Sequence, residues 1–408
     1  MAEMVLENIM LIDGSGRGPC AASICCADGV VKKIERKTGA AIAESGIIAV
    51  PGFVDVHVHF RDPGFTEKED IASGSEAAAA GGFTTVCCMP NTNPALHSPE
   101  ILADIDRRAR ETGRVNLFAL SAMTVGQAGR ELANFAAMDR TPTLCRELTG
   151  HGICGITEDG KSLLNEDMMR QVLIAAKRLG LVVMDHAEPE TEITERDIRL
   201  ARETGAHIHI QHVSAAATVD LVRAAKKTMP NITCETAPHY FTLTSEALDR
   251  LGPLAKMNPP LRTERDREAI REGLADGTID VIATDHAPHT LAEKSRPVDE
   301  APFGIIGLET CFALAYTHLV KTGVLTLPQL IEKMSAAPAR LIGLDRGIIT
   351  EGKAADITLI DTAYEGVIDS SAFRSKGRNT PFDGMPVSGR VIKTLRAGAA
   401  TFEVKENA

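Results

Sequence analysis

Residues 53–61 read FVDVHVHFR. Asp55, His57 and His59 alternate with Val54, Val56 and Val58, and Arg61 follows two positions later. Successive side chains of a strand point to opposite faces, so 55, 57 and 59 share one face. The whole chain has 12 histidines, and two of them sit side by side here, where a valine-rich strand would bury apolar residues. Two readings fit: a strand carrying hydrogen-bonded core histidines, or half of a metal site whose partners lie elsewhere in the chain.

Outward from this stretch, short apolar runs recur at 52–59, 83–88, 114–121, 152–156, 180–185, 206–212, 231–236 and 278–285. Helical stretches separate them, among them EDIASGSEAAAAGG (69–82), EDMMRQVLIAAKRLG (166–180), ERDIRLARETG (195–205) and ATVDLVRAAKKTM (217–229). Several end in glycine, the usual residue just past a helix C-terminus. Eight strands with intervening helices over roughly 290 residues predict an α/β fold of the (β/α)8, TIM-barrel type. No GxGxxG follows the first strand, which disfavours a doubly wound open sheet. Both ends of the chain are strand-like instead: MVLENIMLID and CAASICCADGVVKKIER near the start, ADITLIDT and GRVIKTLRAGAATFEV near the finish. Because domain termini often lie close together, the two ends are expected to meet in one small β-sandwich unit. The expected division is therefore 1–49 and 345–408 for that unit and 50–344 for the barrel.

Composition narrows the function. The 408 residues are 44% hydrophobic and 24% charged, with no Trp and three Tyr, so Ala, Gly, Val, Ile and Leu fill the core, as suits a parallel α/β architecture. A net charge of −11 argues against a nucleic-acid partner or an anionic membrane surface. No window approaches 18 consecutive apolar residues, and the start, MAEMVLENIMLIDGSG, lacks the basic region of a signal peptide. Nine cysteines without a CxxC pair or a regular spacing predict reduced thiols in a cytoplasmic protein.

Barrel enzymes place their chemistry at the C-terminal ends of the strands, and that is where the polar residues fall. The first run ends in His57, His59 and Arg61; the second leads to Asn91; the fourth to Glu158 and Asp159. The fifth ends in Asp185, His186 and Glu188, the sixth in His212, the seventh in His239, and the eighth in Asp285, His286 and His289. Imidazoles and carboxylates from separate strands suit zinc or a similar first-row cation. Two ions would be bridged by a carboxylate, with Asp159 and Glu158 as the candidates. His239 rivals His212 as the sixth-strand ligand. His207 and His209 are expected to pack or hydrogen-bond, His286 to point away, and His97, His151 and His318 to lie on the surface or on helices. Asp55 is expected to orient one of the ligand histidines.

Taken in order, DVHVHFRDPG, MPNTNP, TEDG, DHAE, QHVS, KMNPPLR, IATDHAPH and APFGIIGLET resemble the segments of type I dihydroorotases, in the amidohydrolase superfamily. The likeness extends to PARLIGL and GIITEGKAADITLID, and so spans most of the chain. It implies that His57, His59 and Asp285 hold the more buried metal, that His186 and His212 hold a second, and that Asp159 bridges them where hydantoinases and allantoinase use a carboxylated lysine. Glu158, where the family often has Asp, is placed behind the ligands. Arg61, Asn91, Asn258 and His289, with the backbone at Phe303 and Gly304, would hold the substrate. The segment between His186 and His212 is shorter than in many relatives, which carry an insertion there.

The activity implied is the reversible cyclisation of N-carbamoyl-L-aspartate to L-dihydroorotate in pyrimidine synthesis, with one or two Zn2+ per subunit. Hydroxide activated by metal would attack the ring amide, with Asp285 first base and then acid. Partners implied are the small-molecule substrate, a second copy in a homodimer, and aspartate transcarbamoylase. Rival readings are another cyclic amidase of the hydantoinase or allantoinase kind, and a non-catalytic scaffold for the transcarbamoylase; the first would want a lysine on the fourth strand, the second would have lost ligands. Residues 287–304, APHTLAEKSRPVDEAPFG, read either as a solvated connector or as a loop that orders over substrate.

Overall fold

Residues 4–37 and 46–404 are described by a computed structural model; the extreme ends of the expected 1–49 and 345–408 segments, and 38–45 within the first, lie outside them. Four strands come first: β1 (Met4–Leu11), β2 (Cys20–Ala27), β3 (Val30–Lys37) and β4 (Ile47–Pro51). The barrel strands follow: β5 (Phe53–Val58), β6 (Phe83–Cys88), β7 (Asn116–Ala119), β8 (Ser121–Ala122), β9 (Ile156–Thr157), β10 (Val183–Asp185), β11 (Ile208–Ile210), β12 (Ile232–Thr236) and β13 (Val281–Ile282). The chain ends in β14 (Ile357–Val367), β15 (Pro386–Arg396) and β16 (Ala399–Glu403).

The terminal strands form one seven-stranded sheet in the order β16-β15-β14-β4-β1-β2-β3. Only the β1–β4 pair is parallel. Strand β14 joins the end of the chain to its beginning by pairing antiparallel to β4, with Leu359 opposite Ala49.

The remaining strands are all parallel, in the runs β5-β6-β7 and β8-β9-β10-β11-β12-β13. Strands β7 and β8 are two pieces of one run interrupted at Leu120, which makes eight in all. The ring closes at the first strand: Val58 bridges His286 in parallel, and the His59 amide donates to the His286 carbonyl at 2.9 Å. The TIM-type barrel is therefore present.

Helices between the strands follow from local signals. In Glu166–Leu179, Met169, Val172, Leu173 and Ala176 are buried, the i, i+3, i+4, i+7 stripe of a helix with one apolar face. Asn165 caps its start by accepting from the Met168 amide, and Gly180 ends it at φ 75°, a left-handed angle that costs glycine little. Alternate strand residues serve different layers. Leu117, Ala119, Val183 and Ile282 join the helix residues Val172, Leu173, Val219 and Val222 in one apolar cluster, while Phe118, Leu120, Val182, Met184, Val281 and Ala283 form another. Strands covered on both faces have no solvent side, which is why runs such as 83–88 are buried throughout. Among the described residues no helix is long and apolar enough to cross a membrane.

Candidate active site

The parallel strands all deliver their C-terminal ends to one mouth, so residues just past those ends converge there. Three of them leave the strand in the left-handed region: Arg61 at φ 58°, His212 at 33° and Asp285 at 48°. That conformation costs a non-glycine residue on the order of 1–3 kcal/mol. Here it turns the backbone out of the ladder and re-aims each side chain.

Asp159 is the hub. Its Oδ1 lies 3.3 Å from His57 Nε2, 3.3 Å from His186 Nδ1 and 3.6 Å from His212 Nε2, and its Oδ2 lies 3.5 Å from His59 Nε2. Asp285 Oδ1 stands 3.0 Å from His59 Nε2 and 3.5 Å from His57 Nε2. All six residues are buried. Gly160, at φ 83°, lets the chain turn away directly after Asp159; a Cβ there would stand 3.0 Å from Asn91 Nδ2.

This donor set fits a divalent cation. Ligands around a tetrahedral ion with bonds near 2.0–2.1 Å stand about 3.3 Å apart, close to the separations just given. Two groups, His57–Asp159–His212 and His57–His59–Asp285, have ligand atoms all within 4.8 Å of one another. His57 Nε2 and His212 Nδ1 are buried with no hydrogen-bond partner among the described residues, an expense that a bound cation relieves at the first of them. The electrostatics of the cluster point the same way. Burial alone would strip the proton from His57, yet Asp159, Asp285 and Glu235 hold its pKa well above the usual imidazole value. Burial would likewise raise the Asp159 carboxyl, but His57, His186 and His212 hold it well below the ordinary range. His186 is raised to about 9, mainly by Asp159 and Glu188 against the pull of burial. Carboxylates this acidic in a buried pocket call for positive charge, from protons or from metal.

Behind the cluster stands a residue the sequence reading missed. Glu235, on β12, takes His57 Nδ1 at 2.6 Å and His209 Nε2 at 3.1 Å. It fixes the His57 ring with Nε2 facing the cluster, as carboxylates behind metal-binding histidines do. Asp55, expected to orient a histidine ring, does something else. Its carboxylate accepts from the backbone amide of His57 and from the amide and hydroxyl of Thr284 at 2.6–3.2 Å, tying the first strand to the eighth. Glu158 faces away from the cluster and accepts from the Met123 and Thr124 amides, so it braces the neighbouring turn. His209 and His207 both meet the Thr233 hydroxyl, and His286 turns to Glu69. His239 lies tilted against the Tyr240 ring, centroids 4.1 Å apart, and belongs to neither ligand group.

Above the cluster opens a cavity of about 310 Å³, lined by His59, Asp159, His186, His212 and Asp285 and by all six expected substrate residues. Asn91 is partly engaged: Oδ1 meets His59 Nδ1 at 2.9 Å and Nδ2 approaches Asp159 Oδ2 at 3.4 Å. Asn258 donates to Glu188 at 2.6 Å. Arg61 donates from Nε to the Pro288 carbonyl at 3.2 Å, with Nη2 3.3 Å from His289 Nε2. That histidine nitrogen is also 2.7 Å from the Phe303 carbonyl. A carbonyl only accepts, so Nε2 carries the proton and the guanidinium keeps its Nη hydrogens for something else. Burial, reinforced by Arg61, pushes the His289 pKa down to about 3, so the ring is neutral and adds no charge beside the Arg61 guanidinium. The Gly304 amide donates to the Lys256 carbonyl at 3.0 Å. Loop 287–304 is tied down from within, because Lys294, itself buried, donates to the carbonyls of Lys256, Pro302 and Gly304 at 2.9–3.2 Å.

Comparison with known proteins adds the family. Residues 48–401 match the amidohydrolase family. A dihydroorotase from Acetivibrio thermocellus is 41% identical, the match covering 97% of this chain and 98% of that one. One from Trichlorobacter lovleyi is 42% identical over 98% and 99%. Among solved structures, the L-hydantoinase (dihydropyrimidinase) from Arthrobacter aurescens superposes with a TM-score of 0.87 at 25% identity, covering 100% of this chain and 97% of that one.

Proposed function

We infer from a chain that belongs to the amidohydrolase family, and within it to the dihydroorotases, that the protein interconverts N-carbamoyl-L-aspartate and L-dihydroorotate. The observation that carries this reading is one cavity lined by five of the six cluster residues, His59, Asp159, His186, His212 and Asp285, together with Arg61, whose Nη groups are open to an anion. His57, His59 and Asp285 would hold one divalent cation, His186 and His212 a second, with Asp159 shared; we take the metal to be zinc, from the histidine and carboxylate donors. Such a cation supplies a Lewis acid for the ring amide carbonyl and makes water acidic enough to attack near neutral pH.

The protein's own residues do the rest. Arg61 presents a planar fork to the free carboxylate of the substrate, which explains how a chain of net charge −11 binds an anion. Asn258, His289 and the Phe303–Gly304 backbone line the same cavity and would orient the ring. Asp285 takes the proton of the attacking water at a carboxylate oxygen and returns it to the leaving ring nitrogen, a base turned acid. In the cyclisation direction the same carboxylate first receives the proton of the carbamoyl nitrogen. The subunits are proposed to pair as a homodimer and to associate with aspartate transcarbamoylase in the cytoplasm. The disulfide-free, buried thiols of Cys87, Cys88, Cys145, Cys154, Cys234 and Cys311 suit that reducing setting.

The direct test measures metal content and dihydroorotate hydrolysis on the same preparation, before and after chelation. Turnover is expected to vanish with the metal and to return with added Zn2+; full activity in metal-free protein would remove the basis of the mechanism. Arg61 makes a second test. Arg61→Met touches no ligand, so metal content should hold. Its kcat/KM on dihydroorotate should fall by ~2–4 kcal/mol, the usual cost of deleting one partner of a buried charged hydrogen-bonded pair. Arg61→Lys should recover only part, since a point charge cannot reproduce the fork. Wild type should prefer the acid strongly over its methyl ester. A Met variant that discriminates as well as wild type would show that another group holds the carboxylate.

A further inference from the structure

The loop over the cavity is fastened by a residue from far along the chain, in the 368–385 connection between β14 and β15. Asn379 is 3% exposed and uses every hydrogen-bonding group of its amide on the two rims of the cavity. Its Oδ1 accepts from the His289 backbone amide at 3.0 Å, and its Nδ2 donates to the carbonyls of Ala287 at 3.0 Å and Gly304 at 3.1 Å. Its own carbonyl accepts from the Ile306 amide at 3.0 Å.

The place of these contacts matters. The segments at 286–287 and 305 run together as a parallel bridge, with the Ala287 amide donating to the Ile305 carbonyl at 2.8 Å. Beyond it they part to form loop 287–304, and Asn379 sits at the fork. Packing there leaves little slack. Gly304, at φ 124°, approaches so closely that a Cβ would stand 2.7 Å from the Ala287 Cβ and 3.2 Å from His289 Nε2. Asn379 is itself anchored, because buried Glu69 accepts from the Lys376 amide and Glu309 accepts from the amides of Arg374 and Ser375 at 2.9–3.2 Å.

We propose that Asn379 is a positioning residue for substrate: by fastening both ends of loop 287–304 it sets where His289 and the Phe303–Gly304 backbone stand over the ring, without touching substrate or metal ligand. This rests on the reading above that His289 and Gly304 face substrate. An amide is required because the site offers one donor and two acceptors, which asparagine alone matches at this length. Aspartate could serve the His289 amide but would turn a lone pair toward two carbonyl oxygens.

The test compares Asn379→Ala, Asn379→Asp and His289→Ala for melting temperature, metal content, and kcat and KM on dihydroorotate. For both Asn379 variants KM is expected to rise about 10-fold or more, since small misplacements of contact groups are costly, while metal content and kcat per folded molecule are kept. A role in stability alone would lower the melting temperature and the active fraction but leave KM unchanged, and that result overturns the proposal. If His289→Ala raises KM and neither Asn379 variant does, the pocket reading stands and the positioning role falls. If none of the three moves KM, both fall. Asn379→Asp has the same size as the native side chain, so it carries the test should Asn379→Ala fail to fold.

Discussion

Asp285→Asn is expected to lose about 10²–10⁴-fold in turnover of dihydroorotate, the range for removing a positioned proton-transfer group, while keeping most of its metal. Asparagine is nearly isosteric and tolerates the left-handed backbone at φ 48° as well as aspartate does, so the turn after β13 should survive. Its amide oxygen can still face His59 Nε2, where Asp285 Oδ1 now stands at 3.0 Å. What it cannot do is accept a proton. Burial would raise the Asp285 carboxyl, but His57 and the contact with His59 hold it below its ordinary value, so the native group is an anion, whereas asparagine is not. Elemental analysis beside steady-state kinetics checks this; near-normal rates would sink the proton-transfer role.

His57→Ala is expected to abolish both metal binding and turnover, with a cooperative melt retained. Its Nε2 faces both Asp159 and Asp285, so its loss opens the first site and loosens the carboxylate shared with the second. Glu235→Gln should show a milder form of the same defect. The ring keeps its place, but the carboxylate 2.6 Å from Nδ1 becomes a neutral amide, and metal affinity is expected to fall about 10–100-fold. Metal titration of the two variants and wild type settles the order. If His57 were only a hydrogen-bonded core histidine, His57→Ala would lose stability with metal content unchanged.

Much of the barrel was legible because its signals are local. The run at 83–88 became a strand with those bounds, and the helix at 166–180 stops at its glycine, since cap chemistry and residue spacing act within a few positions. Runs that end in the site were read too long. Of 278–285 only Val281–Ile282 is strand, and of 152–156 only Ile156. An apolar run carries no mark for where the chain stops pairing and turns out to aim Asp285 or Asp159.

The sequence by itself determined the order of strands and helices, the pairing of strand-like ends, and the residues at each strand terminus from which the histidine and carboxylate cluster is built. Period-2 alternation and its break into polar residues are properties of a single strand, written wherever that strand is. Only the tertiary structure decided which group stands behind which. Asp55 is two residues from His57 yet holds Thr284, while Glu235, 178 residues away, holds the His57 ring. Asn379 holds the His289 amide from 90 residues further along the chain, out of a stretch that strand patterns group with the terminal sheet. Such contacts depend on how the barrel closes and where the connection from β14 to β15 is laid down, and closure is set by the packing of all eight strands together, which no local spacing encodes.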